Sequence, residues 1–156
     1  MKAAVFSDTH SNTALMVEAV SRCRPDLIIH LGDYSRDTGI LHERFPEIPL
    51  YSVRGNCDIA SDSPDTDIVP LGPVKAFICH GHSYGVDYGR TDSLVYAAQE
   101  AGAKIAMFGH THEAYYGEAG GVKLLNPGTA GKGHELTWAL VEVFDNGGIA
   151  CEIKAL

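Results

Sequence analysis

Long apolar runs are missing from this chain, and none approaches the roughly 18 residues expected of a membrane-crossing helix. The N-terminal Ala3-Ala4-Val5-Phe6 is too short for a signal-peptide core and is cut off by Asp8 and His10. With no export signal, the expected location is the cytoplasm. Basic runs are missing too. The 12 lysines and arginines are scattered and the formal net charge is −8. That weighs against tight, extended binding of DNA or RNA, which relies on many phosphate contacts. A small phosphate ester is not excluded, because metal ions can make a local site positive on an acidic protein. Cysteine is sparse: Cys23, Cys57, Cys79 and Cys151 show no C-x-x-C spacing. A disulfide framework is not expected in a chain of this length without a secretory signal. Three of the thiols are expected to act as small buried hydrophobes, and Cys57 stands apart because of its neighbours. Repeats, linkers and low-complexity segments are absent from the 156 residues. A single domain over residues 1–156 is therefore expected, long enough to bury a core without cross-links.

What is present is a 45% hydrophobic share and a 21% charged share, as in an ordinary globular protein. Lys2 to Ser7 predicts a buried strand and Ser11 to Arg24 a helix, with Leu15, Met16, Ala19, Val20 and Cys23 on one stripe. Asp26 to Leu31, bounded by Pro25 and Gly32, predicts a second buried strand. Arg36 to Phe45 predicts a helix, and Leu50 to Val53 a further strand. Residues 60–67 are polar, carry Pro64 and predict a surface loop. Pro73 to His80 predicts a strand, and Asp92 to Ala101 a helix with Asp92 as N-cap and Gly102 just past its end. Lys104 to Phe108 predicts a strand. From Glu113 onward the pattern predicts antiparallel strands at 115–116, 122–125, 138–144 and 149–153, with Asn146-Gly147-Gly148 as a hairpin turn. This order argues for α/β architecture, a two-sheet sandwich with helices outside.

Seven residues of metal-ligand type fall in five short clusters, each just after or within a strand-like stretch. They are Asp8 and His10 in Ser7-Asp8-Thr9-His10, Asp33 in Gly32-Asp33, Asn56 in Gly55-Asn56, His80 in Cys79-His80-Gly81-His82, and His110 and His112 in Gly109-His110-Thr111-His112. In open α/β sheets ligands bind beyond the carboxyl ends of the strands. The clusters are therefore expected to meet along one edge. Four imidazoles, two carboxylates and one amide suit two divalent transition metal ions better than Mg or Ca, which prefer all-oxygen shells. Mn is favoured, with Ni, Zn or Fe as alternatives. The expected chemistry is hydrolysis at a binuclear metal centre.

The ordered motifs D-x-H, G-D, G-N, H and G-H-x-H resemble those of the calcineurin-like metallophosphoesterase superfamily. Within it the chain looks like the small bacterial and archaeal branch that lacks cap domains and carries G-N-C-D, here Gly55-Asn56-Cys57-Asp58. Asn126-Pro127-Gly128-Thr129 resembles a further family segment. The resemblance implies a four-layer α/β/β/α sandwich of two mixed sheets flanked by helices. It assigns Asp8, His10, Asp33 and His112 to one metal and Asp33, Asn56, His80 and His110 to a second, with Asp33 bridging. It implies in-line attack on phosphorus by a metal-bridging hydroxide. Two divalent ions against two carboxylates leave such a site net positive, as a phosphate ester requires. Many family members have His after the G-N asparagine, where it helps to bind phosphate and protonate the leaving group. Cys57 stands there in this chain, and a thiol of ordinary pKa about 8.5 is a weak donor. Phosphodiesters with good leaving groups suffer less from that loss than dianionic monoesters. A phosphodiesterase of small diesters is therefore favoured, with a phosphomonoesterase as the nearest rival. A non-catalytic, retromer-subunit-like scaffold is the alternative of a different class, and a nuclease would want a basic groove.

The remaining candidates divide by setting. His82 is a candidate to support the ligands or meet the leaving group, by proximity to His80, and a solvent-facing position explains a polar side chain there equally well. Asp58 either orients a ligand or caps the turn after Asn56, with the structural role preferred. Inside an apolar strand, His30 is expected to be a satisfied core histidine. His42 and His134 are expected at the surface, and Arg54 exposed or salt-bridged. A turn is the expected role of Asn126-Pro127-Gly128. Tyr84, Tyr88, Tyr115 and Tyr116 are candidates to line a cleft, with strand packing preferred for the last two. A homo-oligomer through apolar edges is compatible with the sequence but tied to no residue.

Overall fold

Alternation along the strands decides which side chains enter which layer. In the computed structural model, which describes residues 1–155, strand β1 (Lys2–Phe6) sends Ala3 and Val5 to one face and Ala4 and Phe6 to the other. Both faces are buried, which is why the run is apolar throughout. Strands β2 (Leu27–His30) and β3 (Leu50–Ser52) continue the sheet in parallel. On the other flank, β9 (Thr137–Val143) pairs antiparallel with β1, and β10 (Ile149–Ala155) with β9. The order is β10-β9-β1-β2-β3.

A second five-stranded sheet has the order β4-β5-β6-β8-β7, made of β4 (Thr66–Leu71), β5 (Val74–Cys79), β6 (Ile105–Met107), β7 (Tyr115–Ala119) and β8 (Val122–Asn126). The central β5, β6 and β8 are parallel, and the edges β4 and β7 are antiparallel. Val5, Ile29, Ile78, Met107 and Leu125 meet between the sheets. Helices α1 (Thr13–Cys23) and α2 (Thr38–Arg44) cover the first sheet, with Met16, Val20 and Leu41 against Phe6, Ile28 and Trp138. Helix α3 (Asp92–Glu100) covers the second, with Leu94 and Ala98 against Phe77, Ala106 and Leu124. Each fully buried large aliphatic contributes about 1.5–3 kcal/mol, so three apolar layers hold the strand ends in place. The architecture is the expected α/β/β/α sandwich of mixed sheets.

The element pattern departs from expectation in four places. β4 was not expected, and its first two residues lie in the segment predicted as a loop. It is an edge strand in which only Val69 and Leu71 are buried, and an edge accepts Pro70, whose missing N–H would break an inner strand. β8 pairs parallel with β6 as well as antiparallel with β7, so the C-terminal half is not wholly antiparallel. A 3-10 turn at Ser35–Asp37 precedes α2, which starts at Thr38. Thr91, not Asp92, is the N-cap of α3. Among the described residues no helix is long and apolar enough to cross a membrane.

Candidate metal centre

The carboxyl ends of β1, β2, β3, β5 and β6 lead directly into Asp8, Asp33, Asn56, His80 and His110. The chain must turn sharply there, and Asp8, His10, Asp33, His110 and His112 have φ of 54, 43, 55, 70 and 60°. Left-handed backbone costs a residue with a Cβ about 1–2 kcal/mol, and such strain gathers at functional sites. Cross-links between the loops hold it. Asp8 N–H donates to Gly32 O at 3.0 Å and Gly109 N–H to His80 O at 2.9 Å. His110 N–H donates to Asp8 Oδ2 at 3.1 Å, and Thr129 Oγ1 to Asp8 O at 2.9 Å. The glycines before Asp33 and His110 have a steric cause. A Cβ on Gly32 would lie 2.7 Å from Gly55 N, and one on Gly109 would meet Ser7 Oγ and the Asp8 carboxylate.

Asp8 sits at the middle. It is wholly buried, and among the described residues its Oδ1 has no hydrogen-bond partner, nor does His10 Nε2. Ligand atoms of Asp8, His10 and His112 lie within 4.8 Å of one another, as do those of Asp8, Asp33 and His80. His112 Nε2 is 3.1 Å from Asp8 Oδ1. His80 Nε2 is 3.4 Å from Asp33 Oδ1, 4.0 Å from Asp8 Oδ1 and 3.1 Å from Asn56 Oδ1. His80 Nδ1 donates to Leu31 O at 2.8 Å, which turns the Nε2 lone pair toward the carboxylates. Asp8 is common to both sets. His110 lies beside them, its ring 5.1 Å from that of His80, with Nε2 engaged 2.8 Å from the Asp87 carboxylate. A buried carboxylate oxygen without a hydrogen bond is costly, and a cation removes that cost. The donor set fits divalent metal ions.

Burial opposes ionisation of Asp33, but the Cys57 N–H at 2.9 Å and nearby His80 outweigh it and hold its pKa below the ordinary range. The same carboxylate, with burial, pushes the Cys57 thiol up to about 11. Burial, with His80 and His110, lowers the pKa of exposed His82, whose ring lies 5.5 and 6.0 Å from theirs. Asp58 accepts N–H bonds from Ser35 at 3.0 Å and Gly55 at 2.9 Å, which shapes the turn around Asn56.

His30 is the satisfied core histidine expected. Gly32 N–H donates to its Nδ1 at 3.3 Å, which leaves the proton on Nε2, 3.2 Å from Thr9 Oγ1. Thr9 Oγ1 donates to Asp37 at 2.7 Å, so His30 and Asp37 tie the Asp8 loop to the Asp33 loop. Burial drives the His30 pKa down to about 4. His42 and His134 are exposed, and Arg54 pairs with Asp65 at 2.6 Å. Tyr115 and Tyr116 are 46% and 39% exposed, contrary to the strand packing expected, because β7 is an edge. The supporting roles of three residues are not evident from the sequence. Asn126 is more than a turn residue, since its Nδ2 donates to Gly109 O at 2.9 Å and Thr111 Oγ1 at 3.0 Å. Its place in an N-P-G-T segment was the available signal. Asp37 and Asp87 had none.

A family model described as the calcineurin-like phosphoesterase superfamily domain matches residues 1–146. A Bacillus subtilis protein named "Probable metallophosphoesterase" is 33% identical over 132 residues, covering 83% of this chain and 75% of that protein. A phosphodiesterase of Methanocaldococcus jannaschii is 27% identical over 145 residues, covering 82% of this chain and 83% of the other. The crystal structure of Entamoeba histolytica Vps29 complexed with zinc superposes with a TM-score of 0.76 at 21% identity, covering 99% of each chain.

Proposed function

The chain belongs to the calcineurin-like phosphoesterase superfamily, and on that premise we propose that it is a metal-dependent phosphodiesterase acting on small phosphate diesters. The observation that carries this reading is the buried Asp8 Oδ1, without a hydrogen bond among the described residues and set among His10, His112, Asp33 and His80. Two divalent transition metal ions, Mn preferred, are the proposed occupants. Asp8, His10, Asp33 and His112 would hold one, and Asp33, Asn56, His80 and His110 the other, with Asp33 shared as the family resemblance implies. Such ions supply, when bound, activation of a water nucleophile near neutral pH and neutralisation of phosphoryl charge. The side chains do the rest. Leu31 O fixes the His80 ring, the Asp8 loop is clamped by Gly32, His110 and Thr129, and exposed His82, its ring 5.5 Å from that of His80, would be placed to meet a phosphoryl oxygen or leaving group. Cys57, tied to Asp33, is a poor proton donor, which favours diesters with good leaving groups over monoesters. The scaffold alternative is not favoured, because every ligand-type side chain is retained.

The test is hydrolysis of a chromogenic aryl phosphodiester beside the matching monoester, with metal-stripped protein given Mn, Ni, Zn or Mg in turn. Metal-dependent diester cleavage is expected, and Asp33→Asn should lower it at least about 100-fold while the protein stays folded. Undiminished turnover in that variant would sink the shared-ligand assignment.

A further inference from the structure

A cavity of about 680 Å³ opens between the turn at 34–38 and the loop at 57–63. Its walls begin where two proposed ligands end, since Tyr34 follows Asp33 and Cys57 follows Asn56. The two are also joined in space: the Tyr34 ring lies 4.9 Å from that of His10, and Cys57 N–H donates to Asp33 Oδ1 at 2.9 Å, so the cavity borders the centre on the side of one ester substituent. The volume falls in the range of small-molecule sites, about 300–1,000 Å³. The walls are clamped to each other before any ligand arrives. Asp58 bonds both Ser35 N–H and Gly55 N–H, Ser35 Oγ lies 2.9 Å from Ser61 Oγ, and Ser63 N–H donates to Ser61 Oγ at 3.1 Å.

The lining has a definite chemistry. The Arg36 guanidinium lies 5.0 Å from the centroid of the Tyr34 ring. Ile59 also lines the cavity, an aliphatic side chain that is 95% exposed. The serine hydroxyls of the loop offer donors and acceptors close by. A planar cation on an aromatic ring is a platform for another flat π-system, and such stacking tolerates any base. The acidic charge of −8 disfavours a long polyanion while leaving room for one phosphate.

We propose that this cavity binds a nucleoside-sized planar substituent of the diester, stacked on the Arg36–Tyr34 pair and covered by Ile59. The substrate class is then a mononucleoside phosphodiester. This inference rests on the phosphodiesterase reading and narrows it.

The experiment compares thymidine 5′-(p-nitrophenyl) phosphate with methyl p-nitrophenyl phosphate, which share a leaving group, on the Mn-loaded protein, Arg36→Ala and Ile59→Ser. Both substituted side chains are exposed, so the fold should tolerate the changes. The nucleoside ester should show a KM about ten-fold lower than the methyl ester, and each variant should bring the ratio of the two KM values to within about two-fold. Equal KM values in the unaltered protein, or a ratio untouched by both variants, would overturn the proposal. If neither ester is cleaved, the phosphodiesterase reading fails, and calorimetric titration with thymidine 5′-monophosphate against methyl phosphate decides the cavity by itself. Tighter nucleotide binding that Arg36→Ala removes supports it, and equal affinities overturn it.

Discussion

At the scale of single residues, the ligand types and the side chains that aim them were unequally visible in the chain. Asp8, His10, Asp33, His80 and His112 announced themselves because each sits in a short motif at a strand end. Asp87 did not, because its meaning is a contact 23 residues away: its carboxylate holds His110 Nε2 at 2.8 Å. With the Nε2 proton directed at Asp87, the Nδ1 lone pair is the one left for a metal. Carboxylate partners of this kind typically matter 10–100-fold in metal affinity. Asp87→Asn should therefore weaken one of the two binding events in a Mn titration by about that factor and spare the other, as should His110→Ala. A titration identical to that of the unaltered protein would remove Asp87 from the centre. Cys57 supplies a second residue-scale expectation. A histidine there restores a donor and phosphate contact, so Cys57→His should raise monoesterase relative to diesterase activity by about ten-fold or more. An unchanged ratio would take away the reason for preferring diesters.

Among the elements, periodicity located β1, β2, β5, β6 and all three helices because each has a buried face with a clear repeat. It failed at β4, where an edge position lets Pro70 and the exposed Ile68 interrupt the pattern, and it found β8 but not its parallel pairing with β6, because partners 18 residues upstream leave no local trace. The glycines at the strand ends carry information that periodicity ignores. Gly109 needs no special φ, yet a Cβ there would press on Ser7 Oγ and lie 2.9 Å from Asp8 Oδ2. Gly72, in the turn between β4 and β5, has φ +59° and nothing within 4 Å of a Cβ. Two alanine variants thus separate site strain from turn strain. Gly72→Ala should cost about 1 kcal/mol in urea unfolding and leave Mn affinity alone. Gly109→Ala should cost about 1–3 kcal/mol by overpacking and also weaken Mn binding, since it displaces the Asp8 carboxylate. Equal metal affinities in the two variants would mean that Gly109 does not shape the centre.

Over the whole molecule, stability is coupled to the state of the proposed centre, because the loops that carry the candidate ligands are cross-linked through buried polar groups rather than through the apolar layers. His30 is the clearest case. Its ring is neutral and wholly buried between the Asp8 and Asp33 loops, with a folded-state pKa of about 4 against an ordinary value of about 6.5. Between those values the unfolded chain binds a proton that the folded chain refuses. Stability therefore falls as pH falls from about 6.5 to about 4, by up to about 3 kcal/mol, and His30 has no effect above that window. The depressed pKa of Asp33 acts lower, since its contribution is lost only as pH drops below about 3.8. Metal must be absent from the test, because binding to N itself stabilises by mass action and its affinity changes with pH. Urea unfolding of the stripped protein at pH 7.5 and pH 4.5 should reveal the loss, and His30→Gln, which keeps a donor and an acceptor but does not titrate, should show a flatter profile whatever its absolute stability. Parallel profiles for the two proteins would mean that the interior admits water or a counter-charge at His30. In that event the Thr9–Asp37 link, not the neutral imidazole, would be what joins the two loops.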